Sequence, residues 1–297
     1  MTAVELELEQ EQLLTTEEKG QLAVVWSRFR KHKLATASLF FIIFLVAVAI
    51  LAPWIMPHPY DEIDVPNAFA PASAEHLLGT DQLGRDILSR LMWGTRISLY
   101  VGVAATLLSS VFGIIVGAVS GYYGGQTDTL LMRFTDFFLT LPSLPLLLVL
   151  SVIIGSSVEV VILILAALGW MGSARLVRGM VLSLREQEFV EACRAMGMSD
   201  TRIILRHLIP NSMAPIIVQI TLGIGTLIIV EAALSFLGFG VRPPVPSWGN
   251  MLNRVQDYIL INPLLAVYPG AAIFLTVLAF NFMGDGLRDA LDPRLKM

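Results

Sequence analysis

The chain has 297 residues, 55% of them hydrophobic and 15% charged, and its mean hydropathy of +0.72 is too high for an ordinary soluble domain. A formal net charge of -4 gives no electrostatic ground for binding nucleic acid, and a single cysteine, Cys193, excludes an internal disulfide. What remains is a polytopic membrane protein.

Residues 1–33 form an N-terminal tail that begins acidic (Glu5, Glu7, Glu9, Glu11, Glu17, Glu18) and turns basic at Arg28, Arg30, Lys31 and Lys33. The acidic part reads as a mobile or weakly helical segment with no specific role. The basic cluster marks the cytoplasmic side of the apolar run 34–56, which is long enough to cross a bilayer. No small-residue cleavage site follows that run, so it reads as a retained first transmembrane helix and not as a secretory signal.

Residues 57–96 read as an extracytoplasmic loop, opening with Pro57, Pro59, Pro66 and Pro71. Within it Ile87, Leu88, Leu91, Met92 and Trp93 recur at helical spacing, which predicts an interfacial helix capped by Thr80 or Asp81.

Residues 97–286 hold five further spans, at roughly 98–120, 130–154, 158–177, 213–232 and 265–283. The tail 287–297 follows. Six crossings put both termini and the polar segment 181–212 on one side, and leave only Arg85, Arg90, Arg96, Arg242 and Arg254 outside, in accord with the enrichment of Lys and Arg in cytoplasmic segments. Gly113 and Gly117 predict close helix packing. Three acids lie in or near the spans. Asp136 can pair with Arg133 three residues earlier. Glu159 falls at a span edge, and Glu231 falls near the outer interface or faces an aqueous path. Between the last two spans, Pro243, Pro244, Pro246 and Gly249 forbid a regular helix, and Trp248 suits the membrane interface.

The polar segment predicts helix, turn, helix. Residues 182–196 are good helix formers, Gly197 suits a left-handed closing residue, and Ser199 with Asp200 can start a second helix that stops before Pro210. Asn211 and Ser212 then cap the next element. Small residues at Ala192, Cys193, Ala195 and Gly197 let another protein approach the backbone, while Phe189, Val190, Met196 and Met198 can fill a hydrophobic groove. An amphipathic loop that only packs beneath the membrane domain is the alternative.

Glu191-Ala192-Cys193, Gly197 and Ile209-Pro210 resemble the Glu-Ala-Ala...Gly...Leu-Pro signature of bacterial ABC-importer permeases, with Cys193, His207 and Ile209 as departures. The run from Leu78 to Asp86, the run from Pro244 to Gly249 and the tail from Asn281 to Arg294 are similar to the C-type permease of the oligopeptide/dipeptide/nickel group. The resemblance implies an all-α, type I ABC-importer (MetI-like) permease fold with six transmembrane helices, in the bacterial cytoplasmic (inner) membrane, both termini cytoplasmic. It implies a second permease subunit, two ATP-binding subunits that carry ATP and Mg, and an extracytoplasmic solute-binding protein. It further implies docking to the ATPase through Phe189, Val190, Glu191, Ala192, Ala195, Met196, Gly197 and Met198, with a cation or backbone amide near Glu191. Glu231, Phe236 and Trp248 become candidates for the translocation path or gate, and the run from Leu78 to Asp86 a turn and cap or a contact with the binding protein. The expected function is ATP-driven import of dipeptides or oligopeptides, with a non-peptide solute such as a nickel chelate as the alternative.

Lysines stand only at 19, 31, 33 and 296, so the phosphate-cradling Gly-x-x-x-x-Gly-Lys-[Ser/Thr] loop is absent and the chain is not expected to be an enzyme. His32, His58, His76 and His207 are scattered and none begins His-Glu-x-x-His, so a zinc-type intramembrane enzyme is not expected, and no metal or cofactor is assigned to this chain. A secondary transporter or channel, independent of ATP, is the rival class; it offers no reason for a docking segment, and no internal repeat is visible.

Overall fold

The structure is a computed structural model and describes residues 21–292; the expectations for the acidic tail and for residues 293–297 lie outside the described residues. The described residues are helical with connecting turns and a lone bridge between Thr80 and Asp86.

Helix α1 (Gln21–Lys31) carries the basic cluster and is set off from α2 (Lys33–Ile55) by His32, whose Nδ1 accepts the N–H of Ala35 at 3.1 Å. α2 is apolar all round. It buries only a narrow stripe that includes Ala35, Ile42, Leu45 and Ala49, and exposes Phe40, Phe44, Ile50 and Trp54, the surface of a helix solvated by lipid.

α3 (Ile87–Tyr123) is a single helix of 37 residues, about 55 Å long at 1.5 Å per residue. The predicted interfacial helix is therefore the first two turns of the second span, and the boundary at 96 falls inside a helix. Gly94 does not break it, because the ring of Trp248 lies where a side chain would be, 3.2 Å from an ideal Cβ. The cap is Asp86 and neither Thr80 nor Asp81: its carboxylate accepts the N–H of Ser89 at 2.7 Å.

The third and fourth spans are not straight. α4 (Gly125–Thr140) and α5 (Ser143–Ile154) meet at 87°, and α6 (Val158–Gly169) and α7 (Met171–Leu184) at 42°. Pro142 lacks the N–H that would continue α4, and Pro145 sits in the first turn of α5, where that loss costs nothing. α10 (Met213–Phe236) and α12 (Leu264–Leu291) are long and apolar, so α12 extends past the expected tail boundary at 287. Among the described residues four helices are long and apolar enough to cross a membrane, and there are up to six crossings when each bent pair counts as one.

Packing follows small residues. Along α3, Gly113, Gly117 and Gly121 face α7: a Cβ on Gly113 would lie 2.6 Å from the carbonyl oxygen of Trp170, and one on Gly121 2.9 Å from that of Arg178. α2, α10 and α12 close the other side of α3 around Ile42, Leu99, Ile228 and Phe280. The segment after α10 folds back and drives Trp248, at the start of the one-turn α11 (Trp248–Met251), into this cluster with no exposed surface. Trp248 is thus a core residue, contrary to its expected place at the membrane interface or gate.

The run from Leu78 to Asp86 is explained by backbone and charge. Gly79 and Gly84 have φ of +78° and +74°, open to glycine at little cost. Asp81 accepts the N–H groups of Leu83 and Arg85 at 2.9 and 3.1 Å, and its other oxygen lies 2.8 Å from Arg85 Nε and 3.4 Å from Arg90 Nε.

Candidate functional site

The polar segment forms a compact knuckle at the C-terminal end of α3. α7 ends at Leu184, Arg185 to Gln187 make a turn, and α8 (Glu188–Ala195) follows, so the continuous helix expected over 182–196 is interrupted. α8 closes as predicted at Gly197, φ +73°. The N–H of Gly197 donates to Arg194 O at 2.9 Å and that of Met198 to Cys193 O at 3.1 Å, the paired bonds of a left-handed helix end.

The second half departs from expectation. α9 (Asp200–Ile203) leads into a π turn (Ile204–Leu208) and a short turn (Ile209–Asn211), so the chain stays helical past Pro210. Asn211 and Ser212 do not cap α10. Their side chains donate backwards, to His207 O at 2.7 Å and Leu208 O at 2.9 Å, the latter carbonyl also accepting the backbone N–H of Ser212 at 3.1 Å.

α8 has two faces. Val190 is fully buried and Cys193 nearly so, packed with Val177, Val181, Ile203 and Leu208, and Met198 lies against the same cluster. Val190 and Met198 therefore hold the knuckle onto the membrane helices and are corrected as groove-filling residues. Phe189, Glu191, Ala192, Ala195, Met196 and Gly197 form the outward face, with Met196 74% exposed. The Glu191 carboxylate makes no hydrogen bond or ion pair among the described residues, so the expected contact with a cation or backbone amide is not found there.

Polar bonds stiffen the knuckle against α3. Tyr122 Oη donates to Asp200 Oδ1 at 2.7 Å, and the Arg194 guanidinium stands 5.3 Å from the Tyr122 ring centroid. Arg185 Nη1 donates to Gly121 O at 3.0 Å. Arg178 and Asp128 join α7 to α4, and the Ser120 hydroxyl on α3 donates to the same carboxylate. Asp136 pairs with Arg175 at 2.5 Å and not with Arg133, because the bend after Gly169 brings α7 alongside α4.

Farther along α3 lies a cavity of about 300 Å³ between α3, α5, α6, α7 and α10. Its polar lining is uncharged: Thr106, Ser109, Ser110, Ser143, Ser173, Gln219 and Thr226. Thr106 and Thr226 donate to carbonyls four residues back on their own helices, leaving their lone pairs as acceptors. None of these residues stands out in the sequence, since Ser and Thr equally mark helix packing.

The gate candidates are not in that cavity. Glu231 is completely buried; Ser235 Oγ donates to its Oε1 at 2.7 Å and Ser98 Oγ to its Oε2 at 3.4 Å, while Ser98 accepts the N–H of Trp248 at 3.1 Å and Ser235 that of Val241 at 3.1 Å. Glu231 is thereby corrected from interface or path residue to the centre of a clasp holding the returning segment onto α3 and α10. Phe236, at the end of α10, is exposed, and its carbonyl accepts from Asn253 Nδ2 at 2.7 Å.

Residues 109–297 match the family described as the inner membrane component of binding-protein-dependent transport systems, and residues 20–72 match the N-terminal transmembrane domain of oligopeptide transport permease C. The chain belongs to this permease family. It is 44% identical to a dipeptide transport system permease protein of Alkalihalophilus pseudofirmus, over 91% of this chain and 89% of that one. It is 45% identical to a glutathione transport system permease protein of Escherichia coli, over 91% and 90%. In three dimensions it is similar to a chain of the MetNI methionine ABC transporter in an inward-facing conformation, with a TM-score of 0.53 and 20% identity over 68% of this chain and 97% of that chain, which establishes a shared MetI-like fold. The permease is thus a multi-pass inner-membrane subunit of an ATP-driven ABC importer of the peptide group, and the rival of an ATP-independent transporter or channel falls.

Proposed function

We propose that this permease forms one half of a pathway for short peptides, paired with a second permease, driven by two ATP-binding subunits and fed by an extracytoplasmic solute-binding protein. ATP and Mg are bound by those ATPases. The observation that carries the reading is the outward face of α8: two large apolar side chains, Phe189 and Met196, flank small Ala192 on a helix whose other face is anchored in the core. A push on that face moves α3, α7 and α10 together, because Val190, Cys193, Tyr122 and Asp200 leave the knuckle no independent hinge.

Both termini and the knuckle are taken as cytoplasmic. In support, Arg28 Nη1 donates to Asp292 O at 3.1 Å, joining α1 to the end of α12, and Gly284 of α12 packs against Leu222, two turns into α10, which the knuckle precedes. Arg28, Arg30 and Lys31 lie at that end.

A peptide solute is supported by the relatives named for dipeptides and glutathione, and by the cavity's uncharged hydroxyl and amide lining. Such a lining meets a peptide backbone through weak bonds insensitive to its side chains. The test is uptake by the assembled importer in proteoliposomes, with labelled dipeptide, tripeptide, glutathione and nickel chelate offered separately. Peptide uptake that needs ATP and survives collapse of the proton gradient agrees with the proposal; uptake of the nickel chelate alone, or loss with the gradient, contradicts it.

A further inference from the structure

At the other end of α3 from the knuckle, two of the scattered histidines come together with the helix cap. His58, just beyond α2, donates its backbone N–H to Ser89 Oγ at 3.1 Å, and its ring centroid lies 4.7 Å from that of His76. His76 Nδ1 is 3.1 Å from Asp86 Oδ1, while Oδ2 of Asp86 is held by the N–H of Ser89. His58, His76 and Asp86 each present one ligand atom, all within 4.8 Å of one another. We propose that these three residues form a binding site for a divalent transition ion of the zinc class.

The chemistry of the donors selects the ion. Two imidazoles and one carboxylate suit Zn²⁺, whereas Mg²⁺ and Ca²⁺ want oxygen ligands alone. Tetrahedral bonds of about 2.0–2.1 Å place adjacent ligands roughly 3.3 Å apart, close to the His76 to Asp86 separation, so His58 supplies most of the closing movement. The side chain of Asp86 is 1% exposed and that of His76 12%, which keeps two donors fixed. The three residues line a small cavity of about 80 Å³ whose other charged walls are Glu62, Asp64 and Glu75, with no lysine or arginine, so its field favours a cation. A cavity that size holds the ion and a water in the fourth position. Binding ties the end of α2, the connecting loop and the start of α3 into one unit. The assignment does not depend on what solute is carried.

The test is Zn²⁺ titration of the purified full-length permease in nanodiscs, competed against a chelating fluorophore and paired with thermal unfolding. One Zn²⁺ per chain is expected, with a raised unfolding temperature. His58→Gln and His76→Gln keep a polar side chain and fold; each is expected to lose the bound ion and the thermal shift, while His207→Gln keeps both. Co²⁺ bound in place of Zn²⁺ should give the absorption of a tetrahedral site in wild type only. Absence of Zn²⁺ binding by the wild type, or binding that both glutamine variants retain, overturns the proposal.

Discussion

Arg178 grips Asp128 with two nearly parallel hydrogen bonds, Nε to Oδ1 at 2.5 Å and Nη2 to Oδ2 at 2.6 Å, across the gap between α7 and α4. A fork on a carboxylate fixes direction as well as distance. α7 is the helix that enters the knuckle, so this pair sets the angle at which a push arrives. Replacing Asp128 by Asn leaves one of the two bonds; the pair is partly exposed, so the stability loss should be only about 1 kcal/mol. Solute transport should fall further than that, relative to ATP hydrolysis. Transport and hydrolysis measured on one proteoliposome preparation give the ratio.

Gly197 has no atom within 4 Å of where a Cβ would stand, so inside this chain a substitution there meets backbone cost alone. At φ +73° that cost is about 1–2 kcal/mol for an ordinary residue and less for Asn. Gly197→Val should therefore insert and purify normally but lose coupling, and Gly197→Asn should retain most of it. Coupled transport by the two variants, at matched protein levels, is the measurement.

Gly113 behaves in the opposite way, because its missing side chain is filled by another helix. A Cβ there would stand 2.6 Å from Trp170 O and 2.7 Å from Ser173 Cβ. Gly113→Leu should force α3 and α7 apart and cost about 1–3 kcal/mol or more, with folded yield falling sharply. Size-exclusion profiles and thermal unfolding in detergent read this directly.

Glu231 sits among hydroxyl donors with no cation within bonding distance among the described residues. Glu231→Gln keeps the shape and an acceptor for Ser235, and should be close to wild type in stability. Glu231→Ala removes the acceptor and leaves a void, for a loss of about 2–4 kcal/mol. Proteolysis between 237 and 250 should accelerate in the alanine variant.

The long apolar runs made α2, α10 and α12 legible in the sequence, because lipid asks only for length and apolarity. Direction was not legible: hydropathy does not register the bends at Pro142 and Trp170, nor that Ile87 to Trp93 continues into the second span. The knuckle was legible as a motif, since Gly197 and the small residues carry local physics. Which face of α8 looks outward was not, because eight residues give barely two turns and Phe189 and Val190 are both apolar. Glu231 misled because exposure was inferred from distance along a span, and Trp248 because an indole suits the membrane interface; the segment directly after α10 folds back, covering Glu231 and burying Trp248 against α3. The histidine pair was invisible because His58 and His76 meet only when the loop closes over α3.

The central claim is that the outward face of α8 receives the ATPase. It is tested most directly by Ala192→Trp, which enlarges an exposed residue between Phe189 and Met196 without touching the core, in a pull-down of the ATP-binding subunits through a tagged permease. The account predicts that the variant retains the second permease but loses the ATPases; full retention of the ATPases with normal coupled transport would contradict it.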